Sequence, residues 1–313
     1  MATPKPERIS SFRSSPPLSE LLTDLGPLAE LPGTWSGRGF NLIARPDHEG
    51  GNDIFLELNL TQEDLVFTSI GGNVPNRGTA QDDINLFGVT YLQKINDLTT
   101  GGALHIEPGI WATVPPTTAP AETASVARMA TIPHGNSVLA EGASFSVAGG
   151  PVLNPVNTVP FPIGGPTPAP GALNSFPEYN LAVANAFRTS PLPPGITQAM
   201  VTNPNTALAA AIAGQTIEQT TVLNIGTVPS FTVATTPTPT VVNISNGGGG
   251  VENIPFLGTN ANAATVLATF WIERVKHPSG FGHFIQLQYV QTVLLNFLGL
   301  SWPHVSVATL VKH

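Results

Sequence analysis

The 313-residue chain contains no cysteine, which excludes disulfides, cysteine-ligated metals and thiol chemistry. Charge is also scarce, since Asp, Glu, Lys and Arg make up 10% of the residues, against roughly 25% in an average soluble domain. The mean hydropathy is +0.14. A chain with so few charges has apolar surface that a partner subunit, a membrane or a ligand must cover.

Two kinds of partner would need features that the chain does not have. Only 12 Lys and Arg stand against 20 Asp and Glu, for a net charge of −8, whereas nucleic acids require clustered basic side chains. No run approaches the ~20 apolar residues of a membrane-spanning helix. Residues 1–17 are rich in Ser and Pro and carry no apolar signal core. We therefore expect a mobile tail and a cytoplasmic protein.

Glycine and proline number 31 each, so turns must be frequent and long helices cannot dominate. One short helix is predicted near the start of the chain, because leucines recur there at helical spacing until Gly26 and Pro27. These leucines are Leu18, Leu21, Leu22, Leu25 and Leu28.

Most of the remaining chain alternates between apolar and polar residues, the pattern of half-buried antiparallel strands. Turns rich in Gly, Pro, Asn and Asp separate these segments. A capping helix followed by such strands predicts a mostly β protein, an antiparallel up-and-down β-barrel formed as a single domain by residues 18–313. The predicted strands span 53–60, 65–70, 85–95, 103–114, 125–132, 137–147, 266–275, 283–297 and 304–311.

Residues 148–262 interrupt the pattern with a long segment rich in Pro, Gly and Ala and nearly free of charge. We interpret it as an insertion lying across the barrel or between subunits, with a small second domain as the alternative. Asn203-Pro204 and Gly214 bound a predicted short helix over Asn205–Ala213. Weaker strands are predicted over 216–225, 230–236 and 240–244. Because the segment needs covering, we expect a homo-oligomer, most simply a homodimer through the insertion or the barrel surface.

The run Gly33-Thr34-Trp35-Ser36-Gly37-Arg38-Gly39 opens the first strands. A Trp here can plug one end of a barrel, and the glycines let the strand bend and a neighbouring backbone approach closely. The spacing Gly-x-Trp-x-Gly-x-Gly resembles the signature of the nitrobindins, calycin-type haem-binding barrels related in architecture to lipocalins and fatty-acid-binding proteins. The resemblance implies that haem b is the cofactor and makes Trp35 a candidate cofactor-binding residue.

The chain has seven histidines, and none forms a pair at tight metal-binding spacing. A haem needs only one neutral imidazole in an apolar pocket. Nitrobindins take it from a closing strand near the C terminus, where Ala and Leu follow the His. Trp302-Pro303-His304-Val305-Ser306-Val307-Ala308-Thr309-Leu310 is similar, with one extra residue between His and Ala. The resemblance implies His304 as the metal ligand; the alternative is a histidine that caps a Trp-Pro turn.

Four further residues are candidate site residues. His134 lies in a Pro-His-Gly turn, where side chains commonly face an entrance. It is the candidate catalytic residue and a reserve ligand; alternatively its imidazole is simply in solvent. Arg128 lies mid-strand among apolar residues and suits a carboxylate or haem propionate partner. His105 and Glu107 share one strand face and could form a carboxylate-oriented imidazole, unless they are a solvated face or a buried polar pair.

Three functions stay open at this point. The resemblance implies a haem protein that acts on peroxynitrite, nitrogen oxides or peroxides; as an enzyme it would be a peroxynitrite isomerase, in which ferric haem redirects peroxynitrite to nitrate, or peroxidase-like. The second is a carrier of an apolar small molecule, a fatty acid or terpenoid, without catalysis. The third is an interaction scaffold whose apolar insertion drives oligomerisation.

Overall fold

The computed structural model describes residues 18–172, 174–233, 240–243 and 248–313. The predicted tail at 1–17 lies outside these ranges, as do parts of the two weak strands predicted at 230–236 and 240–244. Described portions of those strands, Ser230–Val233 and Thr240–Asn243, pair with each other.

Ten long strands form a closed antiparallel barrel, in which each strand pairs with the next and the last pairs with the first. The up-and-down barrel predicted from the alternating pattern is therefore confirmed. The strands are β1 (Gly33–Asp47), β2 (Asn52–Ser69), β3 (Ile84–Asp97), β4 (Ala103–Val114), β5 (Ser125–Ile132), β6 (Asn136–Ala148), β7 (Ile217–Gly226), β8 (Asn262–Lys276), β9 (His283–Phe297) and β10 (Leu300–Lys312).

Shorter elements decorate the barrel. The predicted N-terminal helix is present as α1 (Leu18–Leu25), continued by a 3-10 turn at Gly26–Leu28. Further helices are α2 (Gln198–Thr202), α3 (Asn205–Ala211) and α4 (Pro255–Asn260), with a 3-10 turn at Pro177–Tyr179. Short strands are Val74–Asn76 beside β3, Phe161–Pro162 beside β10, Gly249–Asn253 beside β6, and the pair Thr117–Thr118 and Ala121–Glu122.

Three predicted elements differ in the structure. The segments predicted as separate strands at 53–60 and 65–70 form the single strand β2. The strand predicted at 216–225 inside the insertion is β7, which is one of the ten strands of the barrel wall. The insertion is thus divided into two excursions, residues 149–216 and 227–261. The strand predicted at 304–311 begins earlier, because Leu298 and Gly299 take left-handed conformations and Trp302 and Pro303 already lie within β10. A cap after a Trp-Pro turn is therefore the wrong description of His304.

The glycines of β1 let it approach β10 closely, as their spacing predicts. A Cβ on Gly37 would lie 2.0 Å from the Thr309 carbonyl oxygen, and one on Gly39 would lie 2.2 Å from that of Val307. Side chains at these positions would push β1 and β10 apart where these two strands close the barrel.

One end of the barrel is sealed by α1 and the turn after it. Trp35 is fully buried there, its Nε1 donates to the Leu31 carbonyl oxygen at 2.8 Å, and its ring meets Phe67 edge-on. Leu25 and Leu28 pack in the same cluster. We call this the helix-capped end.

The excursion 149–216 packs against the outer wall of the barrel. Its residues Tyr179, Val201 and Leu208 join one buried cluster with outward side chains of β1, β2 and β7–β10, among them Phe40, Leu56, Trp271 and Val305. The backbone also engages, since Leu56 N donates to Phe187 O at 2.9 Å and Thr189 N donates to Leu56 O at 3.0 Å. The apolar segment is thus covered by its own chain.

Candidate functional site

The lumen changes character along the barrel axis. Near the helix-capped end it is filled by apolar side chains, with Trp111 edge-on to Phe270 and Phe270 stacked on Tyr289 at 5.3 Å. Farther along, inward positions carry acids, amides, tyrosines, an arginine and histidines. Because buried polar groups cost free energy unless they are hydrogen-bonded, their arrangement is the main indication of a site.

The first polar cluster joins β3, β4 and β5. Glu107 forms an ion pair with Arg128 and accepts a hydrogen bond from the Tyr91 hydroxyl. Arg128 Nε donates to that hydroxyl at 2.9 Å, and Nη1 donates to Gln291 Oε1 at 2.5 Å. Burial alone would raise the pKa of Glu107, but the Arg128 charge and neighbouring donors lower it to about 2. A charged, fully paired group therefore lies in the lumen.

The surroundings of this cluster make room for it. The Arg128 guanidinium lies 5.4–5.9 Å from the centroids of three rings. Gly109 on β4 lets the Tyr91 ring lie against the strand, because a Cβ there would come within 2.5 Å of ring atoms. The rings that face Arg128 are those of Tyr91, Trp111 and Phe270.

The second polar cluster joins β2, β3 and β9 around Glu63. Its Oε2 accepts from the Tyr289 hydroxyl at 2.7 Å and from Gln93 Nε2 at 3.1 Å, and its Oε1 accepts from Thr61 at 2.9 Å. Burial raises the pKa of Glu63, and these hydrogen bonds lower it only in part. The two clusters share strands, since Tyr91 and Gln93 lie on one face of β3.

His304 lies on the lumen side of β10, in alternation with the inner-core residues Ala308 and Leu310. Its Nε2 lies 3.0 Å from Asn41 Oδ1, which also accepts from the Ser306 hydroxyl at 2.7 Å. Because that oxygen is an acceptor, Nε2 carries the hydrogen, and Nδ1 has no hydrogen-bond partner among the described residues. Burial, and then the nearby His105 and His134, lower the pKa of His304 to about 3.

Three histidines gather at the end of the barrel opposite Trp35. His105 begins β4, His134 lies in the turn between β5 and β6, and His304 is near the start of β10. The rings of His105 and His134 are 6.2 Å apart. His134 is exposed, and partial burial followed by the His105 charge lowers its pKa. We call the part of the lumen marked by these three residues the histidine end.

The predicted site residues thus separate into three places. His304 and His134 come together at the histidine end. Arg128 is buried between the histidine end and the apolar core, with Glu107 as its counter-ion. Trp35 pairs with Lys312, eight residues beyond His304 along β10, which at ~3.3 Å per residue separates Trp35 and His304 by about 26 Å.

Sequence reasoning missed most of the acid, amide and hydroxyl side chains that complete the polar part of the lumen. Their signal was a polar residue at an inward position of a strand, as with Glu63 between Thr61 and Leu65. That signal cannot be recognised until the inward face is known, because a one-residue change of register exchanges the two faces. The missed residues are Asn41, Thr61, Glu63, Tyr91, Gln93, Tyr289, Gln291 and Ser306.

Within the described residues, no group of three or more His, Asp or Glu side chains is arranged to hold a metal ion. Nor does that part of the chain contain a helix long and apolar enough to cross a membrane.

No family model matches the chain, and no curated protein matches its sequence. Among solved structures, the crystal structure of Rv2717c from M. tuberculosis is similar to it. The two are 14% identical, with a TM-score of 0.42, and the match covers 94% of this chain and 97% of that one. A likeness of this degree carries no functional conclusion.

Proposed function

We propose that the histidine end binds haem b, with His304 as the axial ligand. The observation that carries the proposal is the state of the His304 imidazole. It faces the lumen, stays neutral at physiological pH, donates from Nε2 to Asn41 and leaves Nδ1 without a partner among the described residues. Iron binds a neutral imidazole, and metal-bound histidines usually donate their other ring N–H to a neighbouring oxygen.

The walls near His304 suit a large apolar cofactor. Inward side chains from five strands are aliphatic, while His134 marks where this end reaches solvent, as propionates require. The aliphatic residues are Ile95, Ala130, Val138, Val266 and Val293.

Arg128 is a weaker propionate partner than its sequence position indicates. All three of its nitrogens are engaged, by Tyr91, Gln291 and Glu107. A propionate would have to compete with Glu107 for a charge that is already balanced. We therefore assign Arg128 to holding Glu107 in place, and Trp35 to sealing the helix-capped end.

A bound haem would supply an iron centre for reactions of peroxynitrite, nitrogen oxides or peroxides, the chemistry that the resemblance implies. The protein's part would be to fix the axial imidazole through Asn41, to limit water with the aliphatic wall, and to offer His134 at the entrance as a catalytic side chain.

The barrel could instead carry an apolar molecule without catalysis. A fatty acid or terpenoid filling this end would rest against the Glu107–Arg128 pair and the Glu63 cluster. A carrier would have no use for the neutral His304 imidazole whose Nδ1 is without a partner among the described residues, and for this reason haem is preferred.

The direct test is titration of the purified protein with hemin, followed by absorption in the Soret region. We expect saturation at one haem per chain and loss of the band in His304→Ala. His277→Ala is the matched control, because His277 is exposed in the β8–β9 turn and its imidazole hydrogen-bonds to Ser279. An unchanged spectrum in His304→Ala contradicts the proposal. If wild type shows no band, mass spectrometry of an organic extract tests the carrier.

A further inference from the structure

The pair His105 and Glu107 has no part in holding the axial ligand. His105 Nε2 lies 3.3 Å from Glu107 Oε2. The Glu107 side chain is buried, at 2% exposed, whereas the His105 side chain is 22% exposed. An imidazole oriented by a buried carboxylate and still reachable from the lumen is the arrangement of a general acid–base group.

The carboxylate is held rigidly. Its Oε1 is taken by Arg128 and by the Tyr91 hydroxyl, which leaves Oε2 for His105. Because an ionised carboxylate only accepts hydrogen bonds, Nε2 of His105 carries the hydrogen. Its Nδ1 makes no hydrogen bond with any described residue, so a lone pair is left for a ligand.

We infer that His105 is the acid–base residue of the histidine end, acting on small, weakly acidic molecules that bind as anions to the haem iron. This inference rests on the proposed haem site. In the step, the X–H bond of the ligand breaks, its electron pair stays on X, and the proton moves to Nδ1 of His105. Glu107 then stabilises the imidazolium through the Nε2–H, and the proton leaves to solvent at the entrance beside His134.

The charged and titratable groups around His105 fit this role. Glu107 on its own strand is offset by Arg128 of β5. Glu63 of β2 influences His105 electrostatically, and Asp97 of β3 lies two residues beyond Ile95, the cross-strand partner of His105. His134 and His304 contribute positive charge only when protonated. If the pair were purely structural, we would expect Nδ1 of His105 to point toward other protein groups and to be hydrogen-bonded by them.

Hydrogen cyanide is a suitable probe, because it must lose its proton to bind ferric haem. We expect the association rate for the hemin-loaded protein to fall roughly 100-fold in His105→Gln, the lower range for loss of a general base. The pH dependence of that rate should also flatten. The Soret band of the variant should be unchanged, which separates this result from failure of the haem site. His277→Gln is the control.

A second measurement needs no haem. Nitrogen-15 NMR of the haem-free chain should show His105 with its hydrogen on Nε2. An equal cyanide rate in His105→Gln overturns the inference. If no haem binds, a His105 with its hydrogen on Nδ1 overturns it equally, while the Nε2–H form supports it.

Discussion

At the scale of single residues, keeping His304 neutral makes the free energy of unfolding depend on pH. The unfolded chain would protonate this imidazole near pH 6.5, whereas the folded protein resists protonation until about pH 3. Above pH 6.5 both states are neutral and the difference vanishes. As pH falls through this window, the unfolded state binds a proton that the folded state does not, so the free energy of unfolding decreases.

We therefore expect His304→Gln to lose less stability than wild type between pH 7 and pH 4. The difference should reach about 2–3 kcal/mol, below the full linkage value because His304 is partly open to the lumen. Urea unfolding at several pH values measures it. Other groups titrate in both proteins and cancel in the comparison. Parallel loss of stability in the two proteins would show that the imidazole is not held neutral.

The position of His304 could be predicted from its sequence, whereas its environment could not. The resemblance and the strand pattern over 304–311 placed it on the closing strand. Its partner Asn41 lies in β1, 263 residues away in the sequence. The residues next to Asn41 and His304 carry no pattern that predicts this contact. Likewise, the pairing of Arg128 with Glu107 requires that β4 and β5 be neighbours in known register.

At the scale of elements, β1 depends on glycine where it meets β10. Gly39→Ala should destabilise the protein by about 1–3 kcal/mol, since its Cβ would meet Val307 O at 2.2 Å and Thr61 Oγ1 at 2.6 Å. Gly72→Ala is the control, because a Cβ there meets nothing within 4 Å. Thermal unfolding gives the comparison, and equal melting temperatures would mean that β1 and β10 can separate without loss.

The seam between the outer wall and the excursion 149–216 contains a buried acid. Glu273 of β8 is fully buried, accepts from Gln286 at 2.6 Å, and has one oxygen without a partner among the described residues. Burial raises its pKa to about 8, although the Gln286 amide lowers it. As pH rises from 4.5 to 8, the unfolded chain releases a proton that the folded chain keeps, so stability declines.

Glu273→Gln should remove that decline. We expect the variant to match wild type near pH 4.5 and to exceed it by about 2–4 kcal/mol at pH 8. Denaturant unfolding at both pH values is the measurement. A variant less stable than wild type at pH 8 would mean that the ionised carboxylate is bound by groups that the structure does not bring to it.

At the scale of the whole molecule, the low charge of the chain is explained largely by intrachain packing. The excursion 149–216 covers the outer wall, a role that the sequence left open between the barrel and a second subunit. Alternation and turns predicted the barrel, but the strands predicted at 53–60 and 65–70 are the single strand β2, and β7 was hidden inside a segment of unusual composition. Its membership of the barrel depends on pairing with β6 and β8, which no local pattern reveals.

The expected homodimer stays a prediction. Large apolar side chains remain exposed at Phe256 and Phe281, at 69% and 87%, and a second subunit would cover such residues. Light scattering should give twice the chain mass of 32.6 kDa. A mass of 32.6 kDa would show that covering the outer wall with the excursion is sufficient.

The central claim is that His304 binds haem iron, and a cavity variant tests it most directly. In His304→Gly the protein should lose the histidine-ligated haem spectrum, and added imidazole should restore it by occupying the vacated space between Asn41 and the iron. His277→Gly with imidazole is the control. Restoration specific to His304→Gly is the result we predict. A histidine-ligated spectrum in His304→Gly without imidazole would contradict the account, because another residue would then hold the iron.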